Sequence, residues 1–181
     1  GFLTLQSGAI LTASNTTARL VAKPVNIQGT VTLGAAGVYG GALNLANQVD
    51  FGGGIRALYV TNVVTFSGVV QNGGFTKQGT GTLTLSGVNT YNDDTTVANG
   101  TLVVSGSSAS SGHTVGGSGV LRGAGTVGNL LVYGVVDPGN DALTAGRLQA
   151  SMLSLYDGGT LRVDMPAATG TAGTDWDLVA A

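Results

Sequence analysis

The chain has 181 residues, 32 of them Gly and none Cys; 43% are hydrophobic, 9% are charged and the formal net charge is −2. That much apolar content with so little charge excludes disorder driven by low hydrophobicity, and glycines without a three-residue period, beside only 3 prolines, exclude collagen. No stretch approaches the ~18 apolar residues of a transmembrane helix, the scattered basic residues form no stripe for nucleic acid, and the absence of Cys removes disulfides, thiolate metal sites and thiol catalysis together.

Every acid is Asp, and Thr, Val, Leu, Gly, Asn and Ser dominate, a composition that favours strands and turns. The chain begins at Gly1 with neither an initiator Met nor a signal peptide, so it is expected to be processed, excised or part of something longer. Helical periodicity is hard to find, and alternation takes its place. In chain order the triplets are Leu3-Thr4-Leu5, Val31-Thr32-Leu33, Leu43-Asn44-Leu45, Leu83-Thr84-Leu85, Leu153-Ser154-Leu155 and Leu161-Arg162-Val163. Each puts two apolar side chains on one face of a strand and a polar one on the other. Turn residues bound them, as in Ser7-Gly8, Gly52-Gly53-Gly54, Asn72-Gly73-Gly74 and Asn99-Gly100.

A phrase also repeats. Gly81-Thr82-Leu83-Thr84-Leu85-Ser86-Gly87 returns 19 residues later as Gly100-Thr101-Leu102-Val103-Val104-Ser105-Gly106, and 19 further on lies Gly119-Val120-Leu121-Arg122-Gly123. Gly29-Thr30-Val31-Thr32-Leu33-Gly34 and Gly159-Thr160-Leu161-Arg162-Val163 are relatives. A short half-apolar strand buries too little to offset about 1–2 kcal/mol of backbone entropy per residue. Stacked in parallel, equivalent strands pair above and below and their apolar side chains form interior columns. The expected fold is therefore all-β: a right-handed parallel β-helix with coils of about 19 residues, one domain over 1–181, with irregular coils over 1–70. The competing fold is an antiparallel sandwich built on Asn-Gly and Gly-Gly hairpins.

The run from Phe75-Thr76-Lys77-Gln78-Gly79-Thr80-Gly81 through Leu85-Ser86-Gly87-Val88-Asn89-Thr90-Tyr91 to Val97-Ala98-Asn99-Gly100-Thr101-Leu102 closely resembles the passenger-associated transport repeat, or autotransporter-associated β-strand repeat. That family reads approximately K-x-G-x-G-T-L-x-L-S-G-x-N-T-Y-x-G-x-T-x-V-x-x-G-T-L. Asp93 or Asp94 stands where members usually carry Gly. Gly123-Ala124-Gly125-Thr126-Val127 and Val135-Val136-Asp137-Pro138-Gly139 resemble the phrases that follow such repeats, so 75–181 reads as repeat-like coils; the likeness is weak before Gly68. The resemblance implies a stalk-forming β-helix that is extracellular or on the bacterial cell surface, associated with passenger export rather than chemistry. The family's membrane barrel is not among these residues.

Candidate chemistry is sparse. His113, the only histidine, could serve a Ser-His-Asp triad, but no Gly-x-Ser-x-Gly elbow accompanies it, and it reads as a loop or strand-edge residue. Asp93-Asp94 and Asp137-Pro138-Gly139-Asn140-Asp141 could offer oxygens to Ca²⁺, yet they match no calcium loop and fit turn chemistry. Asp157, Asp164, Asp175 and Asp177 could pair for glycoside hydrolysis, with Arg162 placed to neutralise its neighbours. Gly116-Gly117-Ser118-Gly119 lacks the Lys-Ser/Thr of a phosphate loop. Lys77 reads as solvated, Tyr91 as packing at a corner, the aromatics as unclustered, and Asn89 as a rung between coils. The expectation is no enzyme, no catalytic or metal residue, no cofactor, no nucleic acid and no membrane insertion by this segment. Strand-forming sequence right up to both termini, with no capping helix, suggests end-to-end self-association. The alternative is an adhesin that binds a surface glycan or host protein through Val38 to Gly54 or Asn140 to Gly146.

Overall fold

The structure, a computed structural model, describes residues 1–139, 146–163 and 178–180. Every pairing between named strands is parallel, and the one antiparallel contact among the described residues is an isolated bridge between Gly123 and Gly139. The antiparallel sandwich is thereby excluded. The chain is a β-solenoid of about 7 turns with about 20 residues per turn.

Each coil contributes to three faces. The first stacks Leu3–Leu5 on Val25–Ile27, then residues 49–50 and 70–71, and later Ser107–Ser108, 126–127, 149–150 and Leu178–Ala180. The second stacks Ile10–Leu11, Val31–Leu33, 58–60, 75–78, 95–97, 113–115, 130–132 and 153–155. The third stacks Arg19–Val21, Leu43–Leu45, Val63–Phe66, Thr82–Leu85, 101–103, 120–123, Val135–Pro138 and Thr160–Leu161.

Five of the six alternating triplets lie in strands, and the inner positions of the central ones fill the core: Val31, Leu33, Leu43, Leu45, Leu83 and Leu85 are all buried, whereas Leu155 is exposed and Leu161-Arg162-Val163 leaves its strand after Leu161, with Val163 exposed. The 19-residue phrase is the third face of successive coils, with Thr82 on Thr101 and Thr101 on Val120. Gly29-Thr30-Val31-Thr32-Leu33 has the same pattern but lies on the second face, over Ile10–Leu11 and under Leu58 to Val60. The step between coils varies around the stack. It is 22 from Leu3 to Val25, contracts to 15 from Val120 to Val135, and widens to 25 from Val135 to Thr160. Extra residues are taken up at corners, where ladder pairing stops.

One set of corner glycines is fixed by the closeness of the coils. A Cβ on Gly87, Gly106 or Gly125 would lie 2.4, 2.1 and 2.1 Å from the carbonyl oxygen of Gly68, Gly87 and Gly106 respectively, each one coil below. None of these four has positive φ; Gly79 and Gly100, at +76° and +68°, need glycine for that second reason. Neither Asp93 nor Asp94 has positive φ, so the turn after Tyr91 does without the left-handed conformation that glycine supplies. Among the described residues no helix is long and apolar enough to cross a membrane.

Candidate functional site

The interior is not wholly apolar. Lys77, Thr95, Ser108, Ser111, His113 and Asn89 are buried, most of them in two or three neighbouring coils at the centre of the stack. Each is placed by strand alternation. Phe75-Thr76-Lys77 puts Lys77 on the inward side with Phe75, and His113-Thr114-Val115 puts His113 inward with Val115.

Lys77 corrects the solvated reading. It sits in an interior column between Leu58 below and Val97 above. Its ammonium donates to the carbonyls of Gly79 at 2.8 Å and Asn99 at 2.9 Å, with a longer contact to Gln78 at 3.4 Å. Gly79 and Asn99 belong to adjacent coils, so the side chain ties them from inside. Burial pushes its pKa down to about 8.

His113 does stand at a strand edge, as the first residue of His113–Gly123, but its ring points inward and is only 1% exposed. Its Nδ1 lies 3.0 Å from the Ser111 carbonyl, which can only accept, so Nδ1 carries the proton and Nε2 accepts from the Ser108 hydroxyl at 3.0 Å. Burial lowers its pKa to about 4, opposed in part by the Ser111 carbonyl. Neither ring nitrogen meets a carboxylate among the described residues. Beside this pair, Thr95 donates to the Tyr91 hydroxyl at 3.0 Å and contacts the Ser111 hydroxyl at 3.1 Å, while Ser111 reaches the Asp93 carbonyl at 2.9 Å. Burial raises the pKa of Tyr91, against the hydrogen bonds of Thr95, Ser108 and Ser111. Its ring closes an interior aromatic row, with Phe51 to Phe75 at 5.6 Å and Phe75 to Tyr91 at 5.8 Å. Tyr91 is therefore a core residue, and the aromatics do cluster.

Asn89 is the rung expected of it, although its partners are backbone groups. Its Oδ1 accepts from Val70 N–H at 2.9 Å, one coil below, and its Nδ2 donates to the Ser107 carbonyl at 2.9 Å, one coil above. It bridges the first face where no regular strand runs between 70–71 and Ser107–Ser108.

Asp137 is wholly buried on the third face between Arg122 and Arg162. Its Oδ2 receives Arg122 Nε and a terminal nitrogen, both at 2.9 Å, and an Arg162 nitrogen at 3.3 Å; Oδ1 has no partner among the described residues. Arg162 thus neutralises Asp137. Asp157 is exposed; Asn140, Asp141, Asp164, Asp175 and Asp177 lie outside the described residues, as does nearly all of Asn140 to Gly146. Through Gly112, Asp94 approaches the next coil, where a Cβ on that glycine would meet its Oδ1 at 2.8 Å. The stretch Val38 to Gly54 borders an open groove of about 220 Å³ lined by Phe2, Asn26, Gln28, Gln48, Asp50 and Gly52.

Residues 75–104 match the family model of the passenger-associated-transport-repeat. The match spans Lys77, Asn89, Tyr91 and Thr95, interior polar and aromatic residues just described, and it is this stretch of the chain that is similar to the autotransporter repeat. No curated protein and no solved structure matches the chain. Repeat and solenoid together fit an autotransporter passenger-type structural domain.

Proposed function

We propose that this chain is an extracellular structural β-solenoid: a stalk, or a subunit joined head to tail into a fibre, of a bacterial surface or secreted protein. Its role in this reading is mechanical and not catalytic. The observation that carries it is the parallel ladder, unbroken from coil to coil on the second and third faces and bridged by Asn89 where the first face lacks a strand, in which each coil gains hydrogen bonds and apolar contact only by lying on a neighbour. The strands Leu3–Leu5, Ile10–Leu11 and Arg19–Val21 pair, among the described residues, only with the coil above, and Thr160–Leu161 only with the coil below. Such edges accept a further parallel strand, whether from more coils of one polypeptide or from a second copy. The repeat family supports secretion or display at the cell surface.

The test is sedimentation and negative-stain electron microscopy of the purified 181 residues across a concentration series. The fibre form expects rods that lengthen with concentration, with a meridional spacing of about 4.8 Å. A monodisperse monomer at all concentrations contradicts it and leaves the stalk, whose mark is a stiff rod of fixed length.

A further inference from the structure

Two polar residues interrupt the interior columns in the same coil. Ser108 and His113 are both buried, and the positions that pair with them one coil above hold Val127 and Leu130. Apolar side chains fill such columns without the desolvation cost of a hydroxyl and an imidazole. The pair is oriented as well as buried. With its proton on Nδ1, held by the Ser111 carbonyl at 3.0 Å, the ring presents the Nε2 lone pair to the Ser108 hydroxyl at 3.0 Å. A hydroxyl whose proton points at a neutral imidazole is the arrangement of a serine nucleophile and its base.

The carbonyl that precedes this hydroxyl is polarised from the coil below. The Ser107 oxygen accepts the main-chain N–H of Asn89 at 2.8 Å and, in addition, its Nδ2 at 2.9 Å. Two donors converging on one carbonyl oxygen stabilise the negative charge that grows there when the carbon is attacked. Ser108 Oγ belongs to the very next residue, so its attack on the Ser107 carbon closes a small ring and needs no second molecule to be brought in. Solvent comes close to the same strand: an open groove of about 210 Å³ is lined in part by Gly112, His113 and Thr114.

We propose that the Ser107–Ser108 peptide bond is a self-cleavage site, with Ser108 as nucleophile, His113 as base and then acid, and Asn89 as the double donor to the carbonyl. The Ser108 hydroxyl proton passes to His113 Nε2 as Oγ bonds to the Ser107 carbonyl carbon. The carbon–nitrogen bond between the two residues then breaks, and its nitrogen takes the proton back from His113. An ester now joins Ser107 to the Ser108 side chain. Water adds to that ester, which leaves a carboxylate on Ser107, the restored hydroxyl of Ser108 and a free amine at its N-terminus. The two fragments stay in the stack, because 101–103 pairs with 120–122 and Ser107–Ser108 with 126–127. A single turnover thus gives a nicked rod and leaves the mechanical role intact. The inference goes beyond the stalk or fibre reading and does not depend on it.

The experiment is denaturing mass spectrometry of the purified 181-residue chain, followed over days with and without hydroxylamine, which opens esters. The expected result is a pair of fragments, one ending at Ser107 and one whose N-terminal sequence is Ser108-Ala109-Ser110-Ser111-Gly112, with a Ser107 hydroxamate where hydroxylamine is present. Ser108→Ala should abolish cleavage. His113→Gln should slow it about a hundredfold or more, and Asn89→Ala, which keeps the main-chain donor, about tenfold or more. An unchanged far-ultraviolet spectrum establishes that each variant folds; should Ser108→Ala fail to, the mass of the parent decides alone. A parent that keeps the mass of the full chain throughout, with and without hydroxylamine, overturns the proposal. So does a Ser108→Ala variant cut like the parent, which marks an outside protease, or a break at any other bond in place of this one. Filament formation is read separately by microscopy, so either result stands without the other.

Discussion

At the scale of single residues, three buried polar groups control how stability responds to change. His113 is held neutral inside the stack, with its pKa lowered from 6.5 to about 4. The unfolded chain therefore binds a proton between those values and the folded one does not. Stability from this group is complete above pH 6.5 and is lost as pH falls towards 4, by up to roughly 3 kcal/mol. Urea unfolding of the parent and of His113→Gln across that window should show the steeper acid loss in the parent alone; parallel curves would contradict it. Lys77, lowered from 10.5 to about 8, has the same sign: stability rises between pH 8 and 10.5 as its buried charge is relieved. Lys77→Met, which has no proton to lose, should lack that rise. Both inward residues were legible in principle. Period-two alternation puts Lys77 with Phe75 and His113 with Val115; a reading that sends a lone charge or histidine outward overrode it. Arg122→Ala leaves the buried Asp137 carboxylate to the half-exposed Arg162 and should cost about 3 kcal/mol or more in chemical unfolding, while Arg162→Ala should cost about 1 kcal/mol or less.

At the scale of the element, the coil corner decides what sequence is allowed. Gly68, Gly87, Gly106 and Gly125 recur every 19 residues because each backbone passes against the carbonyl of the one beneath. Gly106→Ala should therefore cost about 2–3 kcal/mol or more, since the methyl has only backbone to displace. Gly117→Ala, with a nearest atom at 3.9 Å, should change stability by about 0.5 kcal/mol or less. Equal effects in thermal unfolding would contradict this account of the column. The 19-residue step made this column and the third face of the central coils visible in the sequence. It hid what lies where the step departs from it: Tyr133 and Tyr156 are 23 apart, so their stacking could not be read from the repeat. The buried pairing of Asp137 with Arg122 was hidden likewise, because that step is only 15. Asn89 shows the converse, its value as a rung following from the type of side chain needed where a strand is missing.

At the scale of the whole molecule, a coil has almost no stability of its own, and the stack supplies it through pairing above and below. The irregular steps in residues 1–70 do not interrupt this, since Leu3–Leu5, Val25–Ile27 and 49–50 continue the first face that Val70 and Asn89 extend. The measurement that tests this most directly uses nitroxide labels on the outward third-face positions Val63, Thr82 and Thr101, in a chain with no native Cys to remove. Parallel, in-register coils predict strong spin–spin broadening for the 63/82 pair and weaker broadening for 63/101, with about 4.8 Å added per coil. A 63/82 separation beyond about 15 Å, three coil spacings, or a 63/101 pair closer than 63/82, would contradict the parallel stack.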